Sequence, residues 1–519
     1  MRTESNLNVG LAIAIAVIAI AVRFIDINQP FVDEWSWRQS DVAAIARNYF
    51  SNGFHFAYPQ IDWAGDQPGY VGTEFPILPY IVAICYKLAG VHEWIGRVQS
   101  VIFFAASLPF FFLLVRDAWH GLLSELERST SRKPAHGPSA GCGCHFAGEI
   151  AATWALFFYS FAPLNVMASR CFMPDVPSLS LAIIGLYFFL RWIDSDQAKF
   201  LLASAILISF SILIKLPNIL IGAPLAYLAF QRFGVRALRR RSLWVFAAIA
   251  LVPSAAWYWH AHKISEKFYP YHLFGAGGIR LMSASWYWKI INETVTSSLT
   301  PLLGALAVFG FFVARLAPRA RVFYTWLAAM LLFVVVAGYG NRHPWYRLPL
   351  VPIAAAFAGT ACAWISGRFA LKRVPLRTGA IVLIVLFGGL SYNYAKLFYH
   401  ESGANLRLIG LELNRITPEK SLIVASDYGD PTIFYYAERK GWHFLEKEGI
   451  YNGHPTSGSD AIADLEALKE RGATHLVFCS GTFWWLDYYK EFAQHLDKRA
   501  RLMENTSEFE IFRLNSPEE

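Results

Sequence analysis

Apolar runs separated by short basic connections fill the first three quarters of this chain, and they restrict it to a helical bundle in a bilayer. Runs near the roughly 20 residues that a membrane-crossing helix needs occur at about 7 to 24, 97 to 115, 149 to 168, 177 to 192, 200 to 214, 217 to 230, 243 to 260, 301 to 314, 322 to 338, 348 to 366 and 379 to 395. The chain is 55% hydrophobic and only 16% charged, with a mean hydropathy of +0.34. That balance is too apolar for a soluble protein of this length. The first run has no small-residue cleavage site and continues directly from Arg23 into an acidic loop, so it is read as a retained span and not as a signal peptide.

The formal net charge of +8 could point to nucleic acid, but the cations are clustered between spans. Arg116, Arg128, Arg132 and Lys133 share one connection, Arg191 and Lys199 another, and Arg232, Arg236, Arg239, Arg240 and Arg241 a third. Arg315, Arg319 and Arg321 follow, then Arg368, Lys372, Arg373 and Arg377. Every second connection is basic, which marks those as cytoplasmic. The loop 26–96, the turns 170–177 and 215–218, the loop 261–300 and the segment 340–347 then fall outside. Phe75 to Ala89 is apolar but short and carries Pro76 and Pro79; a crossing there would invert every later side, so it is expected as a juxtamembrane or re-entrant helix. Eleven spans result.

After Lys396 the pattern changes. Ser421–Ser426, Thr474–Phe478 and Phe509–Leu514 read as strands and Ala461–Arg471 as an amphipathic helix, giving a small soluble α/β domain. The six cysteines are too scattered for a disulfide framework. Cys142, Cys144 and His145, with His136 nearby, lack zinc-finger spacing and read as part of a Gly/Pro/Ser-rich loop.

The outer connections carry the chemistry. Adjacent carboxylates, Asp33 and Glu34, follow the first span, and burying such groups unpaired costs several kcal/mol. Arg38, Gln39 and Asp41 come next, and Asp41 to Phe50 has the spacing of a helix lying along the membrane surface. Arg170 and Asp175 flank a turn after the third span, Lys215 stands between two spans, and Asn341 to Arg347 precede a late one. Interfacial Lys, Arg, Trp and Tyr also anchor helix ends, which is the ordinary reading of Lys215, Arg342, Trp345 and Arg347 taken singly. Acids at span ends gain nothing from topology, so Asp33, Glu34 and Asp175 are the stronger functional candidates. The expectation is one water-facing, non-cytosolic surface where these groups converge.

Such a surface suits transfer from a lipid-linked donor. A lipid phosphate is a good leaving group that needs cations to neutralise it, while the acceptor hydroxyl needs a base. Asp33 is the first candidate for that base; Glu34 orients it or the acceptor, or the two exchange roles. A transporter or flippase for a lipid-linked glycan is the alternative, and it predicts ionisable groups in mid-span and broken helices. A glycan polymerase or ligase would instead use an outer loop rich in Arg and His, for which the loop 261–300 offers His262, His272 and Arg280.

These residues together resemble the polyprenyl-phosphate-dependent glycosyltransferases of the GT-C type, among them the protein O-mannosyltransferases and the bacterial aminoarabinose and galacturonic acid transferases that modify lipid A. The resemblance rests on Asp33-Glu34, on Arg170-Cys-Phe-Met-Pro-Asp175, on Lys215 between paired spans and on His343-Pro-Trp-Tyr346-Arg347 entering a late span. It implies an α-helical polytopic membrane domain over residues 1–396, with about eleven transmembrane helices and with juxtamembrane helices in the outer loop 26–96, followed by an extracytoplasmic α/β domain over 397–519. It implies Asp33 as catalytic base, Asp175 in the same cavity, and donor-phosphate binding by Lys215 and Arg170, with His343, Tyr346 and Arg347 as lesser candidates. Where many bacterial members carry Lys-Pro-Pro or His-Pro-Pro, this chain has Thr73-Glu74-Phe75-Pro76, so Arg38 or Lys215 would have to compensate. The expected partners are a polyprenyl-phosphate sugar, a lipid, glycan or protein acceptor and the bilayer, with no nucleic acid. The expected location is the inner (plasma) membrane with a periplasmic site. Some relatives use a divalent metal and others do not, so no cofactor is assigned. Asp427 to Asp430 and Tyr435 to Trp442 are expected to form a polar, aromatic patch, which would suit a sugar and which loop packing explains equally well.

Overall fold

A computed structural model describes residues 2–119, 140–275, 278–314, 318–370, 376–447 and 449–514. Arg128, Arg132, Lys133, His136, Arg315, Lys372 and Arg373 lie outside the described residues, as do the side chains of Cys142, Cys144 and His145. The chain divides into two units, one of Met1–Ile27, Arg97–Ala256 and Gly275–Phe398, the other of Asn28–Gly96, Trp257–Phe274 and Tyr399–Glu519.

Most apolar runs of the sequence fall in a single helix, while those at 149–168 and 217–230 are each broken in two. Among the described residues, Glu93–Ala118, Asp175–Ser195, Arg241–Lys267, Leu350–Phe369 and Arg377–Phe398 are long and apolar enough to cross a membrane, and Ala284–Leu299 with Pro301–Ala314, bent by 103°, would add a sixth. The chain is a multi-pass membrane protein. The eleven spans expected from sequence also include shorter apolar helices, such as Asn8–Arg23, Ala198–Ile214 and Arg321–Val336. The expected span 217–230 is a 3₁₀ turn, Leu216–Ile221, followed by the helix Gly222–Phe233.

Proline explains one break in the first unit. The helix Ala140–Phe161 stops at Ala162 and resumes as Pro163–Ala168, because Pro163 has no N–H to continue the ladder. Three successive carbonyls at the break take side-chain donors instead: Asn165 Nδ2 to Tyr159 O at 2.7 Å, Arg23 Nη2 to Ser160 O at 2.5 Å, and Ser391 Oγ to Phe161 O. In hydrocarbon every freed backbone group needs such a partner. Arg23 is therefore fully buried at a span end, with its guanidinium 4.1 Å from the Phe104 ring centre.

The second unit is built on a five-stranded sheet: β1 (Leu422–Ser426), β2 (Lys440–His443), β3 (His475–Cys479), β4 (Ala500–Asn505) and β5 (Phe509–Leu514), in the order β2-β1-β3-β5-β4. β2 and β3 run parallel to β1, and β5 is antiparallel to both β3 and β4. Alternate residues face opposite ways. Val424, Leu476, Phe478 and Phe512 pack with Leu465, Leu468 and Phe492. Ile423, Ala425, Val477 and Ile511 pack on the other face with Ile409, Ile433 and Phe434, and also with Ile45, Tyr49, Ile61 and Trp63.

The sequence reading groups residues 26–96 with the membrane spans, whereas here 28–96 share a core with the C-terminal domain. Asp41 to Phe50 is expected as a helix on the membrane surface, yet it forms part of the helix Ser36–Asn52, both sides of which are buried. Ala43, Ala44 and Ala46 allow close packing, and the polar positions are paired inside: Arg47 with Asp62 at 2.6 Å, Asn48 with Asp62 at 2.8 Å, and Trp63 Nε1 donating to Asp41 at 3.0 Å. Ile77–Ala89 is a 13-residue helix of the same unit, about 20 Å long and short of a bilayer core.

Gly65 and Gly441 fasten this loop to β2. Gly65 N donates to Gly441 O at 2.7 Å and Gly441 N to Asp62 O at 3.1 Å. Gly65 has φ +55°, and a Cβ there would lie 1.9 Å from the Trp442 ring. Gly65→Ala is expected to destabilise the second unit by about 2–4 kcal/mol, from left-handed strain plus overpacking. Chemical denaturation followed by tryptophan fluorescence measures it.

Candidate functional site

In the first unit, two antiparallel helices set the register of an acid and a base. Ser178 Oγ donates to Ser211 O at 2.6 Å, Ser211 Oγ returns a bond to Ser178 O at 2.7 Å, and Asn218 Nδ2 reaches Ser178 Oγ at 2.5 Å. Asp175 lies one turn before Ser178, at the N-terminus of Asp175–Ser195, and Lys215 one turn after Ser211, just past the C-terminus of Ala198–Ile214. Each charge suits its helix end, and Pro217 prevents the second helix from continuing.

Lys215 Nζ comes to 3.4 Å from Asp175 Oδ1, with the side chains only 6% and 5% exposed. The same ammonium lies 4.9 Å from the Tyr346 ring centre. Taking two charges out of water costs about as much as their attraction returns, so a buried pair is weak evidence for stability. The pair stands at the neighbouring ends of two helices, where stability alone does not account for it.

The other candidates of this unit divide. Arg170 is fully buried and donates through Nη2 to Asp26 O at 2.5 Å. His343 stacks on Trp345 at 4.6 Å and 7°, and its ring centre is 6.5 Å from that of Tyr346. Arg347 is held by the turn after Ala284–Glu293: Nη1 donates to Ile290 O and Thr294 Oγ1, and Nη2 to Glu293 Oε2, all at 3.1 Å. These bonds tie Arg347 to that bent segment. Asp175, Lys215 and Tyr346 are thus brought together, with His343 beside Tyr346.

In the second unit the adjacent carboxylates part ways. Asp33 is fully buried, while Glu34 is exposed. An Asx turn is the local cause: Trp35 N donates to Asp33 Oδ1 at 3.0 Å, and Ser36 N donates to Asp33 O at 2.8 Å as the helix begins. Gln39, on the first turn, donates Nε2 to Asp33 Oδ1 at 2.8 Å and Oδ2 at 3.0 Å. The carboxylate is held as an acceptor by Trp35 and Gln39.

Glu74, which stands where many relatives have a cation, accepts from Arg38 Nη2 at 3.0 Å on each oxygen, and from Thr73 Oγ1 at 2.9 Å. Arg38 therefore carries a carboxylate partner of its own. Sequence reasoning missed this pair because its members are 36 positions apart; a carboxylate in place of a cation was the available signal.

A second buried set lies at the ends of β1 and β2. His443 Nδ1 is 2.8 Å from Asp427 Oδ1, with side chains 5% and 0% exposed. Burial alone would lower His443, but Asp427, with Asp41 and Asp430, holds it above its ordinary value of 6.5. Burial pushes Asp41 up to about 6 against Arg38 and the indole of Trp63. A histidine raised in the folded state contributes stability that is full below the unfolded value of about 6.5 and is lost as pH rises through the folded one. The wild type is therefore expected to melt above His443→Gln at pH 6, with the gap closing toward pH 9. Thermal melts across that range check it.

Of the two readings of the aromatic patch, packing holds for Tyr435 and Trp442. Tyr435 and Trp442 are buried in the core, at 5% and 0% exposure, because Trp442 packs over Gly65 and under Arg471. His262 is paired with Glu266 at 3.1 Å; it and His272 belong to the second unit and Arg280 to the first. Among the described residues, no three His, Cys, Asp or Glu side chains are grouped to hold a metal ion.

Residues 145–259, which include Arg170, Asp175 and Lys215, match the family described as dolichyl-phosphate-mannose-protein mannosyltransferase. The chain is similar in structure to ArnT from Cupriavidus metallidurans bound to undecaprenyl phosphate, with a TM-score of 0.65 and 14% identity, covering 98% of each chain. The fold is that of the GT-C glycosyltransferases. The GT-C likeness extends to the Archaeoglobus fulgidus oligosaccharyltransferase complexed with zinc and sulfate, at a TM-score of 0.59, 12% identity, and 95% and 71% coverage of this chain and that one. It extends also to AglB of the same organism in complex with an inhibitory peptide and a dolichol-phosphate, at 0.57, 13%, 98% and 74%. No curated protein matches the chain in sequence.

Proposed function

We propose that this GT-C protein is an inverting glycosyltransferase that moves a sugar from a polyprenyl-phosphate donor to an acceptor hydroxyl at the outer face of the cytoplasmic membrane. The observation that carries the reading is the buried pair Lys215 and Asp175 beside Tyr346, within a stretch that matches the lipid-phosphate-dependent mannosyltransferases. Two solved structures of similar fold hold a polyprenyl phosphate.

In the proposed reaction Asp33 takes the proton of the acceptor hydroxyl as its oxygen bonds to the anomeric carbon. The bond from that carbon to the phosphate oxygen breaks, and the lipid phosphate leaves with the electron pair. Lys215 and Arg170 neutralise the departing phosphate, and Tyr346 and His343 border it. Attack opposite the phosphate inverts the anomeric centre. The acceptor is a lipid, envelope glycan or protein, with lipid A among the lipids, and the site faces the periplasm.

The test uses purified protein, polyprenyl-phosphate sugar labelled in the sugar, and membrane extract as acceptor. Label leaving the donor for a product of inverted anomeric configuration is expected. Label that stays on the lipid with every acceptor fraction overturns the proposal.

A further inference from the structure

Three parallel strands of the second unit end together, and beyond those ends stand aromatic rings that the sheet does not need. β1 ends at Ser426, two residues before Tyr428, and its parallel neighbour β3 ends at Cys479, five residues before Trp484. The carboxyl ends of parallel strands are where open α/β sheets take ligands. Tyr428 is 49% exposed, Trp484 38% and Tyr488 73%, and His454 is exposed too.

These rings are held in a row. His454 meets Tyr428 edge to face at 6.2 Å and 81°, and Trp484 at 5.0 Å and 80°. Trp484 lies 6.1 Å from Tyr488, one helical turn on. Tyr428 is kept outward by a left-handed backbone, φ +58°, a conformation that costs a non-glycine residue energy. The Asp427 carboxylate accepts the next N–H, that of Gly429, at 2.9 Å, and the Tyr428 hydroxyl donates to Gly481 O. The turn thus holds the ring at the surface and fixes its position. Asp487 and Lys490, with side chains 88% and 70% exposed, put hydrogen-bonding groups next to it.

We infer that Tyr428, His454, Trp484 and Tyr488 form a binding platform for a pyranose ring of a glycan. The C–H face of a pyranose stacks on aromatic rings, and its hydroxyls bond to charged groups at the rim. A membrane-interface role for the same rings fits the exposed carboxylate of Asp487 less well. That the glycan is the acceptor rests on the transferase reading; that the platform binds saccharide does not.

The experiment uses the full chain in lipid nanodiscs, with mannotetraose, maltotetraose and chitotetraose as probes, read by tryptophan fluorescence and saturation-transfer NMR. At least one tetrasaccharide is expected to bind. Tyr428→Ala and Trp484→Ala should each weaken it by tenfold or more, and Trp484→Phe should bind as the wild type does. Polyprenyl-phosphate binding should be unchanged in all three variants, so failure here is distinguishable from failure of the transferase reading. Absence of binding by all three sugars, binding indifferent to both alanine variants, or quenching of Trp484 by brominated lipid that sugar does not relieve would overturn the proposal.

Discussion

Asp33→Asn is expected to lower the turnover of sugar transfer by about 10²- to 10⁴-fold, the range for loss of a positioned base, while leaving the donor's apparent affinity near that of the wild type. The substitution keeps the shape of the side chain. Its carbonyl oxygen can still accept from Trp35 N, and Gln39 can turn its carboxamide to suit the new amide, so the Asx turn and the start of Ser36–Asn52 survive. What is lost is the capacity to take a proton. Glu34→Gln is the internal control: Glu34 is exposed, and a comparable loss there would move the base to that residue. Initial rates at saturating donor, with melting temperatures of the three proteins alongside, separate chemistry from folding.

Lys215→Met is expected to raise the donor KM by about 10- to 100-fold. A hydrogen bond to a charged group is worth about 1.5–3 kcal/mol, and each 1.4 kcal/mol is a factor of ten. Methionine retains most of the aliphatic stem against Tyr346 but removes the ammonium 3.4 Å from Asp175 Oδ1. Breaking a buried pair on one side is also destabilising, so the single variant mixes two effects. The double variant Lys215→Met with Asp175→Asn removes both charges and should recover stability without recovering donor affinity. Recovery of both would make the pair structural. Competition by polyprenyl phosphate alone reports the affinity independently of turnover.

Sequence was most informative where the bilayer dictates the pattern. The apolar runs became helical, though those at 149–168 and 217–230 are broken, because length and hydropathy are local properties that hydrocarbon enforces. The strands at 422–426, 475–479 and 509–514 were legible for a similar reason, as short runs of β-formers between turns.

What sequence could not resolve is non-local. It could not say which of two neighbouring carboxylates turns inward; the turn to Trp35 and the reach of Gln39 decide that for Asp33. The helix containing Asp41 looked like a surface helix because its apolar residues recur on one side, yet Trp63 and Asp62 arrive from a loop well beyond it to pair its polar residues. Trp442 looked available to a sugar until Gly65, hundreds of residues earlier, was found beneath it. The tie of Arg347 to Glu293 was equally hidden, because it crosses 54 positions.

Single-turnover mixing of Asp33→Asn with donor labelled in the sugar and a membrane acceptor, read as label retained with the protein and label on acceptor, tests the central assignment most directly. Retained donor with unlabelled acceptor is the predicted result. Acceptor labelled at the wild-type rate would contradict the role given to Asp33.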